Sequence, residues 1–237
     1  MPDLVDLSIC VMGHKLRGAW IRDVVTQLRQ QHDRVEVVVD QGQYGTCWKC
    51  AQAAWETAER HDADWHLVLT EDSRLCHDFV RHVREALAVL PEAGVVSFIK
   101  FGQPPPPTTT WLVSPTVTGG NALAMPRQMR REFMRWQYAA VDPAYKHDDA
   151  RIALFLLQTA PTYRAWYTNP CLVDHLGADL YSITGQHPPI SRRAMRFAGI
   201  FPFTVDWAGG VAEPAKLGGN KLDAYGDRWQ KGAHGDE

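Results

Sequence analysis

Residues 65–73 read WHLVLTEDS, an apolar run from Leu67 to Leu69 that stops abruptly at Glu71 and Asp72. A short apolar run closed by polar turn residues is the pattern of a strand buried on both faces. The same pattern occurs twice upstream. LSICVM (7–12) leads into the turn-like GHKLRG (13–18) and an amphipathic stretch from Ala19 to Arg29. VEVVVD (35–40) leads into the glycine-bearing QGQYG (41–45) and an alanine-rich stretch from Cys47 to Arg60, while a helix from Asp78 to Leu90 follows the third run. Three strand-helix repeats predict an α/β fold with a mixed, mainly parallel sheet, right-handed connections and flanking helices. Such sheets bind ligands at the carboxyl ends of their strands, so the loops at His14, Asp40 and Asp72 are expected to converge.

Downstream, VVSFIKF (95–101) reads as another strand, and PPPPTTT (104–110) as an exposed, semi-rigid loop. TGGN (118–121) precedes a short apolar run and the helix RQMRREFMRW (127–136). HDDARIALFLLQT (147–159) is a helix with two acids at its start, and YRAWYTNPCLVDH (163–175) a last strand and loop. From Gly177 to Glu237 periodicity fades while glycine, proline and aromatics persist. The expected organisation is a catalytic domain over 1–182 and an irregular C-terminal extension over 183–237, packed on it or trailing from it.

The chain has 237 residues, 45% hydrophobic and 22% charged, which is ordinary for a globular domain and favours neither a disordered nor a fibrous class. A formal charge of -2 gives no overall pull toward nucleic acid or anionic membrane, so such a contact would need a local basic patch. No run approaches the ~20 apolar residues of a spanning helix, and the start MPDLVDLSICV lacks a basic leader. A cytoplasmic enzyme without membrane contact is the expectation. Five scattered cysteines do not form a secreted disulfide framework. Cys47 and Cys50 form a CxxC pair, but a zinc site would need two more ligands, with Cys76 and His77 the nearby offer; buried thiols are the simpler reading.

Glu71 and Asp72 carry the sharpest chemistry. An enzyme whose leaving group is a nucleotide diphosphate commonly holds a divalent cation between carboxylate and phosphates, and hard oxygen ligands suit magnesium or manganese. The competing reading is a helix N-terminal cap. Asp148 and Asp149, at a predicted helix start, offer a second acid pair with the same two readings. GQYGTCWK (42–49) carries glycines without a Walker or dinucleotide pattern, so ATPase and dehydrogenase chemistry find no support.

The succession ICVMGHKLR, VEVVVDQGQYG, HLVLTEDSRLCHDF, TGGNALAMPR, HDDARIALFL and NPCLVDHLG resembles small GT-A fold glycosyltransferases, phage-encoded members among them, over roughly Leu7 to Ser182. The resemblance implies a GT-A-like Rossmann-type fold and transfer of a sugar from a nucleotide-sugar, UDP-sugar foremost, to an acceptor hydroxyl with Mn2+ or Mg2+. It maps the family's variable acidic triplet onto Thr70-Glu71-Asp72, with Asp72 as metal ligand and Thr70 in place of the first acid. His175, in the proline-containing NPCLVDHLG, takes the place of a second metal ligand. Asp149, or Asp148 beside it, corresponds to the base that deprotonates the acceptor in inverting members. Gly13, His14, Arg17 and Asp40, with Glu71 and Asp72, surround the donor; the plainer readings are a solvated charge for Arg17 and a turn former for Asp40.

For the acceptor, Gly119 and Gly120 are expected to contribute to binding, together with two basic clusters. Arg127, Arg131 and Arg135 recur every four residues, with Arg130 nearby, and would share a helix face. Arg192, Arg193 and Arg196 form a second cluster with Phe197, Phe201 and Phe203 close by. Basic groups interleaved with rings fit nucleic acid; solvated helix faces are the plainer reading. Some phage enzymes of this family glycosylate hydroxymethylated pyrimidines in DNA, which makes modified DNA the leading acceptor. A surface glycan or lipid-linked saccharide, or a non-catalytic sugar-nucleotide binding module, are the alternatives.

Overall fold

The computed structural model describes residues 5–90, 94–143, 145, 148–160, 162–176 and 193–212. Strands β1 (Leu7–His14), β2 (Val35–Asp40) and β3 (Trp65–Thr70) are parallel, with β1 between the other two: Ile9 pairs with Val35 and Leu7 with Trp65. The connecting helices are α1 (Gly18–Arg29) and α2 (Cys47–Glu56). The chain steps from β1 outward to β2, then back across β1 to β3, so two right-handed crossovers put these helices on opposite faces of the sheet.

The core divides accordingly. On one face Ile21, Val24 and Leu28 of α1, with Phe79 and Val83 of α3 (Phe79–Leu87), cover Leu7, Ile9 and Val11. On the other, Trp48, Ala51 and Trp55 of α2 cover Cys10, Met12 and Val68. Alternate side chains of β1 feed both layers, which is why the strand is apolar at nearly every position. Each large apolar side chain buried this way contributes about 1.5–3 kcal/mol. Ser8 is the polar exception: its hydroxyl lies 2.8 Å from Nδ1 of buried His66, whose other ring nitrogen reaches Ala54 O at 3.1 Å. Burial pushes His66 down to about 3, so the imidazole is neutral and structural.

Strands β5 (Gly94–Ser97), β6 (Thr109–Ser114), β7 (Ala122–Pro126), β8 (Arg164–Thr168) and β10 (Gly210–Ala212) complete an eight-stranded sheet in the order β10-β6-β8-β5-β7-β3-β1-β2. β7 runs antiparallel to β3 and β5, and β6 antiparallel to β8. Helices α4 (Arg127–Ala140) and α5 (Asp148–Thr159) join α2 on its face. A two-stranded ladder of β4 (Ser73–Leu75) and β9 (Val173–His175) stands apart from the main sheet. The fold is therefore the expected mixed, mainly parallel α/β sheet between helices, Rossmann-type in its first half.

Two local expectations change. The exposed loop at 104–110 is shorter than expected, because the β-branched Thr109 and Thr110 are buried and open β6. The strand at 95–101 ends at Ser97, although Phe98 and Ile99 stay in the core. The described part of the C-terminal extension supplies a sheet strand and a core residue: β10 pairs with β6, and Trp207, 5% exposed, accepts at its carbonyl from Trp111 Nε1 at 2.9 Å. The expected boundary at 182/183 lies outside the described residues. All five cysteines are thiols, four buried and Cys47 exposed. Among the described residues no helix is long and apolar enough to cross a membrane.

Candidate functional site

The site forms where the chain leaves β1 and β3. In the sheet register Met12 lies beside Thr70 and His14 beside Asp40, so the three predicted loops emerge at one edge. Lys15 Nζ donates to Gln41 O at 2.8 Å and ties the first loop to the second. Gly13 is required by packing: a Cβ there would fall 2.8 Å from Ile21 Cγ1 and 2.9 Å from Glu71 Cβ. That close approach draws Glu71 under the β1 loop, where its amide donates to Met12 O at 3.0 Å.

Asp72 is held from both sides. Its Oδ1 accepts from Thr70 Oγ1 at 2.6 Å and from Asn121 Nδ2 at 3.2 Å. Its Oδ2 faces Arg17 Nη1 at 2.8 Å and His175 Nε2 at 3.4 Å. The same guanidinium nitrogen reaches Glu71 Oε1 at 3.2 Å, and the Arg17 carbon ζ lies 5.0 Å from the Trp20 ring centroid. Both acids are more than 90% buried. Burial, reinforced by the neighbouring Asp72 charge, pushes the Glu71 carboxyl up to about 7.

His175 arrives through the small ladder. Ser73 pairs with His175 across β4 and β9, and Leu176 N donates to Asp72 O at 2.7 Å, so the ladder continues to the acid itself. Asp174 secures the far side, accepting from the amides of His175 and Ala194 at 2.9 Å each and from Arg193 Nη1 at 3.1 Å.

The second acid pair lies across Gly120. A Cβ at Gly120 would stand 3.2 Å from Asp148 Oδ2 and 3.7 Å from Asp149 Cβ. Since Asn121 binds Asp72, consecutive residues touch the two acid centres. Gly119 has φ +83°, a left-handed conformation that favours glycine, with the Phe101 ring directly above it. Asp149 Oδ1 accepts from Ala150 N at 2.9 Å. Burial, with the adjacent Asp149 charge, pushes Asp148 up to about 6. The segment ahead of α5 is braced by buried Arg151, which donates to Asp142 O at 2.8 Å and to Gln137 Oε1 at 3.2 Å, with its guanidinium over Trp48.

Among the donor residues, His14 Nδ1 accepts from Leu16 N at 3.3 Å and caps the turn of Lys15–Arg17. Asp40 Oδ1 accepts from Gly42 N at 2.7 Å, as a turn former does. The structure thus brings Gly13, His14, Arg17, Asp40, Glu71, Asp72 and His175 to one edge of the sheet.

The basic helix is placed elsewhere. Pro126 pairs with Trp65 at the amino end of β3, so Arg127 starts α4 at the opposite end of the strand from Asp72, about 17 Å along five residue steps. Arg127 pairs with Asp62, Arg130 with Glu59 at 2.6 Å, and Arg131 with Glu59 at 3.7 Å. Arg127, Arg131 and Arg135 line a groove of about 390 Å³ shared with Asp64 and Glu132. Arg193 and Arg196 lie nearer the acids: Met195 N donates to Lys100 O at 2.8 Å beyond the carboxyl end of β5, and Arg196 O accepts from Cys171 N at 2.7 Å. Arg192 lies outside the described residues.

Thr70, Trp20 and Asn121 carry site contacts that residue type did not reveal. Asn121 was visible only as the last letter of TGGN, and Thr70 only as a departure from an acidic triplet.

No family model matches the sequence, and no curated protein matches it. Among solved structures, the chain is similar to a glycosyltransferase involved in the glycosylation of the major capsid of PBCV-1, at 10% identity over 73% of this chain and 84% of that one, with a TM-score of 0.36. It is also similar to the glycosyltransferase GlyE of Streptococcus pneumoniae TIGR4, at 8% identity over 69% of this chain and 45% of that one, with a TM-score of 0.37.

Proposed function

We propose that this chain is a metal-dependent glycosyltransferase that moves a sugar from a nucleotide-sugar, a UDP-sugar foremost, to an acceptor hydroxyl. The observation that carries the reading is the clamp on Asp72: one carboxylate oxygen fixed by Thr70 and Asn121, the other turned toward His175 and Arg17. Adjacent ligands of an octahedral cation stand about 3 Å apart when each is about 2.1 Å from the metal. Asp72 Oδ2 and His175 Nε2, 3.4 Å apart, fit such a pair. Among the described residues no group of three or more His, Cys, Asp and Glu side chains is placed to hold an ion. Asp72 and His175 would hold the cation, with the donor diphosphate as its further partner. A bound cation would supply charge neutralisation of the leaving diphosphate.

The remaining steps fall to the chain's own groups. Arg17 offers a guanidinium to phosphate oxygens, and the loops at His14 and Asp40 receive the nucleoside. One carboxylate of the Asp148 and Asp149 pair, reached over Gly119 and Gly120, accepts the acceptor proton as its oxygen attacks the anomeric carbon and the diphosphate departs. The finer acceptor proposal is DNA carrying a hydroxymethylpyrimidine, supported by Arg193 and Arg196 beside the acid centre. Arg127 and Arg131 lend it little, being engaged by Asp62 and Glu59 at the far end of the sheet, and Arg193 is itself paired with Asp174, so Arg196 carries most of that support.

The deciding experiment is turnover of a panel of nucleotide-sugars, with mass detection of transfer to hydroxymethylcytosine DNA, hydroxymethyluracil DNA and simple saccharides. Turnover lost in chelator and in Asp72→Asn is expected. Full turnover in chelator would remove the cation from the reading. Donor binding without turnover under any condition would favour a non-catalytic module.

A further inference from the structure

Two side chains, Arg17 and His175, converge on one carboxylate oxygen. Asp72 Oδ1 is already taken by Thr70 and Asn121, and Oδ2 meets both Arg17 and His175. A cation shared by Asp72 and His175 would have to approach the oxygen on which the guanidinium rests. At such separations two positive centres repel strongly in a site this buried. We propose that Arg17 is a placeholder: it holds the cation's seat on Asp72 until donor arrives, then moves onto the diphosphate as the cation takes that seat. This inference rests on the metal-dependent reading above and adds an order of events to it.

Three features fit the exchange. Arg17 ends a short 3-10 turn just ahead of α1 and reaches the acids by its long side chain, so rotation about side-chain bonds suffices and β1 need not move. The Trp20 ring lies against the guanidinium and offers a surface along which it can pivot. The charges also exchange sensibly: Glu71 and Asp72 without either partner would crowd two carboxylates beneath the β1 loop. A guanidinium released from them is matched in shape to phosphate oxygens. The consequence is that cation and donor should bind cooperatively, because diphosphate supplies the new partner that Arg17 needs.

The test is Mn2+ binding followed by the electron paramagnetic resonance signal of free Mn2+, in the intact chain, in Arg17→Met, Arg17→Lys and Asp72→Asn, with and without UDP. Without UDP, Arg17→Met should bind Mn2+ roughly tenfold or more tightly than the unaltered chain, and Arg17→Lys should not gain. Addition of UDP should tighten Mn2+ binding in the unaltered chain and narrow the difference. UDP affinity itself should fall roughly tenfold in Arg17→Met. Equal or weaker Mn2+ binding in Arg17→Met would overturn the placeholder, while loss of binding in Asp72→Asn would leave the metal site standing. Mn2+ binding absent or identical in all four proteins would overturn both. Thermal melts of each variant report whether it is folded, and Arg17→Gln, which is equally uncharged and should show the same gain in Mn2+ binding, carries the comparison if Arg17→Met is not folded.

Discussion

Asn121 Nδ2 lies 3.2 Å from Asp72 Oδ1 and 3.1 Å from Thr70 Oγ1, so one amide from the head of β7 orients the acid at the end of β3. The contact exists because β7 runs antiparallel to β3 and brings its first residues to the carboxyl end of that strand. The preceding residue, Gly120, packs against Asp148. A single dipeptide therefore sets the relation between the acid that would hold a cation and the acids that would take a proton.

Asn121→Ala removes a partner of Asp72, the proposed metal ligand, without emptying a core position. Partners of this kind typically contribute 10–100-fold in metal affinity or activity. We expect Mn2+ affinity to fall by about that factor while the melting temperature changes little, measured by titration and thermal unfolding. Unchanged affinity would reduce Asn121 to a structural tie.

Gly13→Ala tests the close approach beneath the β1 loop. The added methyl would meet Ile21 and the Glu71 Cβ below 3.0 Å. Overpacking of this kind costs about 1–3 kcal/mol, or roughly 3–10 °C in melting temperature for a chain of this size. Donor affinity should fall with it, since the strain lands on Glu71. A variant with unaltered stability and donor binding would show that the loop yields freely.

Much of this was legible in the sequence because its first half obeys local rules. Parallel strands buried on both faces are continuous apolar runs, and Ile21, Val24, Val25 and Leu28 recur at helical spacing. The acids at the end of β3 were visible for the same reason. What failed was non-local. β6 begins inside a proline-led stretch, and its Thr109 and Thr110 read as loop residues until Trp207, nearly a hundred residues later, is known to cover that edge. Arg17 and Asp72 are 55 residues apart, and no spacing rule joins them. Periodicity aligned Arg127 with Arg131, but only the pairing of Pro126 with Trp65 shows which end of the sheet they occupy.

The acid pair on α5 should show its function in its stability. Asp148 has its carboxyl raised from 3.8 to about 6 by burial and by Asp149. In that interval the folded chain keeps a proton that the unfolded chain has lost. The stabilisation is therefore complete below about 3.8 and is lost as pH rises through about 6. Its full size is at most about 3 kcal/mol. Asp148→Asn should melt higher than the unaltered chain at pH 8, with the gain shrinking toward pH 4. Asp149→Asn should lower turnover by about 10² to 10⁴, as loss of a general base does. If instead Asp148→Asn loses the turnover and Asp149→Asn keeps it, the base is Asp148; full turnover in both removes the pair from the mechanism.

If the acceptor is DNA carrying a hydroxymethylpyrimidine, the two basic clusters make different predictions because the fold separates them. Arg127 and Arg131 start at the amino end of β3 and already face Asp62 and Glu59, whereas Arg193 and Arg196 flank the loop beyond β5, on the side of the acids. Each phosphate neutralised on binding contributes a slope of about -0.9 in log affinity against log salt. Replacing Arg193 and Arg196 together with alanine should therefore weaken DNA binding and flatten the slope by about 1 rather than 2, since Arg193 is already countered by Asp174, with donor hydrolysis in the absence of acceptor unchanged. Replacing Arg127, Arg131 and Arg135 should leave the slope nearly as it was, since at least two of these charges are already countered. Should the helix variant flatten the slope and the 193–196 variant not, DNA lies along α4 and cannot present its base to Asp149 without wrapping the end of the sheet. A slope near zero in every protein would point to an uncharged saccharide, with the sugar-donor half of the site untouched.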